Sequence, residues 1–184
     1  MSTPLQQVIF DCDGVLVDSE VLAEEELSRQ LGEWLPDLDT EAELRAALGM
    51  TTEAILGHLE AMSAHTLPPQ AMERIDHAIE SRLAKELAPI TGMAELLGGL
   101  LADGVAVAIV SNSAERRVRA SLAATGLDRW LGSVPLFTAE QVARPKPAPD
   151  VYQLALRQLG RDVQQCVVIE DSLAGVSAAV AAGL

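Results

Sequence analysis

The chain has 184 residues, 49% of them hydrophobic and 3% aromatic, with a formal net charge of −14. That is ample apolar material for one buried core with a small insertion, and too acidic and aromatic-poor for a nucleic-acid surface or for docking on an anionic membrane. No apolar run approaches the roughly 20 residues that a membrane-spanning helix needs, and the N-terminus lacks a basic region leading into a signal-peptide core, so a cytoplasmic protein is expected.

In chain order, the apolar run 8–10 reads as a strand that runs directly into Asp11, Asp13 and Gly14. Residues 21–35 are helical in pattern, with leucines on one side and glutamates on the other. Pro36-Asp37 and Asp39-Thr40 break that helix. A second helix, 41–48, ends at Gly49, a third runs from about 51 to 62, and a fourth from 70 to about 87 carries Met72, Ile75, Ile79 and Leu83 as an apolar stripe. Four helices with no strand between them predict a bundle inserted as one unit.

Strand and helix alternate after that: helix 92–102, strand 105–110, a helix capped by Ser113 and closed at Gly126, a weaker strand 134–137, and a stiff proline loop 144–150. Asp150 is read as the cap of a helix ending at Gly160, and 166–169 as a buried strand before an alanine-rich helix. The pattern predicts a doubly wound α/β core with a parallel sheet, 1–17 plus 89–184, interrupted by a helical domain at 18–88. Cys12 and Cys166, the two cysteines, fall in or beside predicted strands, so neither a disulfide nor a soft-metal site is expected.

The chemistry gathers at predicted strand ends, where an open parallel sheet binds its ligands. Asp11 and Asp13, spaced i, i+2, would share a face on a regular strand, and two like charges so placed call for a cation, with oxygen ligands favouring Mg²⁺. Ser111 and Asn112 end the second core strand, where a hydroxyl and backbone N–H groups at a helix start can receive phosphate oxygens. Lys146, one of two lysines in the chain, stands between Pro145 and Pro147, which stiffen the loop that presents its ammonium. Glu170 and Asp171 follow a strand as Asp11 does, and adjacent acids on extended backbone point apart, so Asp171 is expected to bind metal directly and Glu170 through water.

The stretch Asp11-Cys12-Asp13-Gly14-Val15-Leu16-Val17-Asp18-Ser19 resembles motif I of the haloacid dehalogenase-like hydrolase superfamily in its phosphatase form. Ser111, Lys146 and Glu170-Asp171 are similar to motifs II to IV in the same order. The resemblance implies a Rossmann-like core with an inserted four-helix-bundle cap of subclass I, in the branch of β-phosphoglucomutase-like proteins and phosphogluconate-type sugar-phosphate phosphatases. It implies that Asp11 is the nucleophile forming an aspartyl-phosphate and Asp13 the general acid and base. It further implies that Asp11, the backbone carbonyl of Asp13, Asp171 and Glu170 hold Mg²⁺, and that Ser111, Asn112 and Lys146 hold phosphate.

In the helical insertion, Gly49, Met50 and Thr52 stand where relatives place a specificity loop, and Arg82, with Arg74 and Lys85, offers cations to an anionic substrate. Relatives usually continue with at least one more strand, so the core is expected to lack its C-terminal one. The expected activity is Mg²⁺-dependent hydrolysis of a small phosphorylated metabolite by a monomer or weak homodimer. A phosphosugar mutase stays open as an alternative, although the histidine and arginine that mutases of the branch carry at the cap are absent, with Thr52 in the arginine's place. A receiver-like protein and a non-catalytic phosphate binder are the remaining readings.

Overall fold

The structure is a computed structural model that describes residues 5–47 and 52–184. The chain divides into two compact units, one of Met1–Ser19 with Leu87–Leu184 and one of Glu20–Glu86. The first is built on four parallel strands, β1 (Gln7–Phe10), β2 (Ala106–Ser111), β3 (Leu136–Thr138) and β4 (Cys166–Ile169), in the order β3-β2-β1-β4. The chain steps outward from β1 to β2 and β3, then returns to the other side of β1 to add β4. The switch point of the sheet therefore lies between β1 and β4.

Alternation along the strands sorts the core into two layers. Val8, Phe10, Val107 and Ile109 face one way, against α5 (Met93–Ala102), α6 (Glu115–Ala124) and the short α7 (Asp128–Leu131), through Met93, Leu97, Val118, Leu122 and Leu131. Ile9, Ala108, Val110 and Phe137 face the other way, against α8 (Asp150–Leu159) and α9 (Leu173–Ala181), through Val151, Tyr152, Ala155, Ala178 and Ala179. Because β1 and β2 are covered on both faces, their sequences are continuous apolar runs rather than alternating ones. β4 differs from the buried strand expected of it: it lies at the sheet edge and its residues are half-buried or exposed.

In the second unit, Leu31, Leu35, Leu44, Ile55, Leu56, Leu59 and Ile75 form one apolar cluster shared by α1 (Glu20–Trp34), α2 (Thr40–Ala46), α3 (Thr52–Met62) and α4 (Ala71–Glu86). Asp39 caps α2 by accepting from the Ala42 N–H at 3.1 Å. The two chain segments leading to and from this unit run side by side, joined by Asp18 N–H to Ala88 O and Ile90 N–H to Leu16 O, both at 3.0 Å. No helix among the described residues is long and apolar enough to cross a membrane.

Candidate active site

Parallel register sets the site. Phe10 is level with Ile169 of β4 and Ile109 of β2, so the residues just beyond, Asp11, Glu170 and Val110, come to one height at the carboxyl edge beside the switch point. Asp11 holds that register with its N–H bonded to Ile169 O at 3.0 Å.

Lys146 reaches into this edge from the loop before α8, and its Nζ donates to Asp11 Oδ1 at 2.6 Å, to Val110 O at 2.9 Å and to Glu170 Oε1. Asn112 fixes the loop by gripping the Lys146 backbone from both sides, its Nδ2 donating to Lys146 O at 3.1 Å and its Oδ1 accepting from Lys146 N–H at 3.0 Å. Glu170 is held further by the Tyr152 hydroxyl at 3.2 Å and by the N–H and hydroxyl of Ser172 on its other oxygen.

One oxygen each from Asp11, Glu170 and Asp171 lies within 4.8 Å of the others. Three hard oxygen donors converging in this way suit a divalent cation such as Mg²⁺ or Ca²⁺. Asp171 is exposed, and its carboxylate passes so close to Gly14 that a Cβ there would lie 1.9 Å from Asp171 Oδ2. Gly14 also takes φ +74°, so the turn after Asp13 requires glycine on two counts.

Burial pushes the Asp11 carboxyl up to about 6, against the pull of the Lys146 ammonium, with the charge of Glu170 adding to the rise. Burial, followed by the neighbouring charges of Asp13 and Asp11, raises the Cys12 thiol far above its ordinary value and keeps it protonated. Burial and then Glu170 likewise raise the Tyr152 phenol, which keeps its proton and donates it.

Asp13 is not one of the three converging carboxylates. Its two oxygens accept from the hydroxyls of Ser19 and Ser113, each at 2.7 Å. A hydroxyl can donate to a carboxylate or accept from a carboxylic acid, so this pair suits Asp13 in either protonation state.

The structure thus brings Asp11, Asp13, Ser111, Asn112, Lys146, Glu170 and Asp171 to one edge. Ser111 is buried there, with its hydroxyl accepting from Ser113 N–H at 3.0 Å. Three local expectations change, the first being that Asp150 is not a helix cap, because Pro149 occupies that position and the Asp150 carboxylate pairs with Arg144 at 2.7 Å. Ser113 is not the helix cap, because Ala114 occupies that position and the serine hydroxyl goes to Asp13. Glu170 and Asp171 do not point apart, because β4 ends at Ile169 and the strand alternation ends with it.

In the helical unit Arg82 is held by Glu25 at 2.5 Å and Glu86 at 3.2 Å, and Arg74 lies over the Trp34 ring. Thr52 opens α3, while Gly49 and Met50 lie outside the described residues. Sequence reasoning missed Ser19 and Tyr152 as site residues. Tyr152 sits on the apolar stripe of α8 and reads as core. Ser19, within motif I itself, was the one with a legible signal.

The sequence profile of haloacid dehalogenase-like hydrolases matches residues 8–184. A CBBY-like protein of Arabidopsis thaliana is 31% identical over 206 residues, which cover 100% of this chain and 63% of the plant protein. The 6-phosphogluconate phosphatase of Escherichia coli strain K12 is 28% identical over 98% of this chain and 80% of its own. Among solved structures, a HAD family hydrolase from Deinococcus radiodurans R1 with bound phosphate and sodium has a TM-score of 0.82 at 34% identity, covering 98% of this chain and 78% of that one.

Proposed function

The chain belongs to the haloacid dehalogenase-like hydrolase family, and from that membership we propose that it is a Mg²⁺-dependent phosphatase of a small phosphorylated metabolite, a sugar phosphate or similar ester, working through an aspartyl-phosphate. The observation that carries this reading is the division of labour between two aspartates. Asp11 is buried against Lys146 beside two further carboxylates, and Asp13, two residues on, is held apart by Ser19 and Ser113. The likeness to 6-phosphogluconate phosphatase supports the substrate class.

In the first step an Asp11 oxygen attacks phosphorus, the new O–P bond forms as the ester O–P bond breaks, and Asp13 gives its proton to the leaving alcohol oxygen. In the second, Asp13 takes a proton from water, whose oxygen attacks phosphorus and returns Asp11 as a carboxylate with release of inorganic phosphate. A phosphate dianion repels a carboxylate nucleophile, and Lys146 cancels part of that charge while Ser111 and the adjoining backbone receive phosphate oxygens. Asp11, Glu170, Asp171 and the Asp13 carbonyl would hold Mg²⁺, which supplies the remaining charge neutralisation when bound.

The helical unit, Glu20–Glu86, serves in this reading as the cap that selects the ester, with Gly49, Met50, Thr52 and Arg82 as candidate contacts. The test is phosphate release from a panel of small phosphomonoesters with and without Mg²⁺. Turnover that requires the metal is the expected result. Turnover only with a sugar bisphosphate primer would mark a phosphosugar mutase instead, and none under either condition would overturn the phosphatase.

A further inference from the structure

Arg117, in the first turn of α6, has no part in the mechanism above. Its Nη2 stands 3.8 Å from Asp13 Oδ1, close enough to feel the charge and too far for a hydrogen bond. Among the described residues its guanidinium makes no hydrogen bond, and its Nε is buried without a partner. Asp13 does not need it, since both carboxylate oxygens already accept at 2.7 Å from Ser19 and Ser113. The neighbouring Arg119, by contrast, is fully engaged, with Glu115 at 2.7 Å and Gly132 O at 3.4 Å. A buried N–H without an acceptor is a cost to the empty protein, and a planar fork of unspent donors matches a carboxylate or phosphate in two-point contact.

The position of the fork says which part of a substrate it meets. Lys146 and Ser111 mark the phosphoryl end of the site, and Asp13 marks the ester oxygen that leaves. Arg117 lies beside Asp13 with its side chain 38% exposed, so it faces the alcohol portion. We infer that the substrate is a phosphate ester whose alcohol portion carries an anionic group of its own, a carboxylate or a second phosphate, and that Arg117 is the residue that binds this group. The inference rests on the phosphatase reading and narrows its substrate class.

Three esters separate the outcomes: 6-phosphogluconate, sorbitol 6-phosphate, which has CH₂OH in place of the carboxylate, and fructose 1,6-bisphosphate. With Mg²⁺, the native protein should favour one of the anionic esters over sorbitol 6-phosphate in kcat/KM, and which one it favours distinguishes carboxylate from phosphate. Arg117→Met should reduce that preference by about 10- to 100-fold, the size expected for losing hydrogen bonds to a charged group. Most of the change should lie in KM, and Arg117→Lys should keep an intermediate ratio.

A native protein indifferent to the extra charge, or a ratio unchanged in Arg117→Met, would overturn the inference. So would an equal loss on all three esters with a moved acid limb of the pH profile, because Arg117 would then act through Asp13. Calorimetric binding of the same esters to Asp11→Asn protein separates the two readings. An Arg117-dependent preference in binding, without phosphate release by the native protein, would sustain the anion site and sink the phosphatase.

Discussion

Lys146 and Asp37 illustrate two opposite uses of a charge. Lys146 is buried, a state that an ammonium tolerates only with opposite charge beside it, and its partners are the two carboxylates Asp11 and Glu170. Asp37, in the loop between α1 and α2, is spent on structure. It accepts from the Ser63 hydroxyl at 2.5 Å, the Ala64 N–H at 2.7 Å and the His65 ring at 3.1 Å, tying its loop to the end of α3.

The Ser63 hydroxyl and then the Ala64 N–H hold the Asp37 carboxyl well below its usual value of 3.8. A lowered carboxyl in the folded state contributes stability that is complete above the unfolded value and fades as pH falls below it. Asp37→Ala should therefore lower the Tm at pH 7, and the gap to the native protein should narrow between pH 4 and pH 3. Thermal unfolding of both proteins across that range checks it, and a gap that stays constant would show that the carboxylate charge is not what binds the loop.

At the scale of elements, the start of α9 is where geometry and chemistry are most tightly coupled. Ser172 caps the helix by accepting from Gly175 N–H at 3.0 Å and also donates to Glu170. The Glu170 carboxylate lies over Gly175 so closely that a Cβ there would come within 1.8 Å of Glu170 Oε1. Gly175→Ala must displace that carboxylate. Since the atom that moves is the tip of a flexible side chain, the protein should still fold while Glu170 leaves Lys146 and Tyr152. The Mg²⁺ concentration giving half-maximal activity should rise by about 10-fold or more, the usual effect of disturbing groups that orient metal ligands. An unchanged metal requirement would mean that Glu170 does not support the cation.

The strands that carry Asp11, Ser111 and Glu170 were legible because an uninterrupted apolar run ending in polar residues identifies a covered parallel strand and its carboxyl end at once. What was not legible depended on distant partners. The Ser113 hydroxyl reads as a local cap until Asp13, a hundred residues away, is seen to take it. Arg117 looks like one more charge on a solvated helix, and the half-exposed β4 looks buried because its apolar residues are the same ones a central strand would use.

For the whole molecule, the order β3-β2-β1-β4 is what turns scattered motifs into a site. It places β1 between the strand that ends at Ser111 and the strand that delivers Glu170 and Asp171, and the stiff loop after β3 returns Lys146 to the same edge. The alternation of strands and helices predicted the class of fold and motif order the family, but the distances that bring Asp11, Lys146, Glu170 and Asp171 together exist only in the assembled sheet.

The measurement that bears most directly on this account is Mg²⁺-supported phosphate release by Asp11→Asn beside the native protein, on the best ester of the panel. The amide keeps an oxygen for Lys146 while removing the carboxylate. The expected result is a folded protein that still binds the ester and releases phosphate at least about 1,000-fold more slowly, the loss that follows removal of a catalytic nucleophile. Release within 10-fold of the native rate would contradict it, because the phosphoryl group would then never have passed through Asp11.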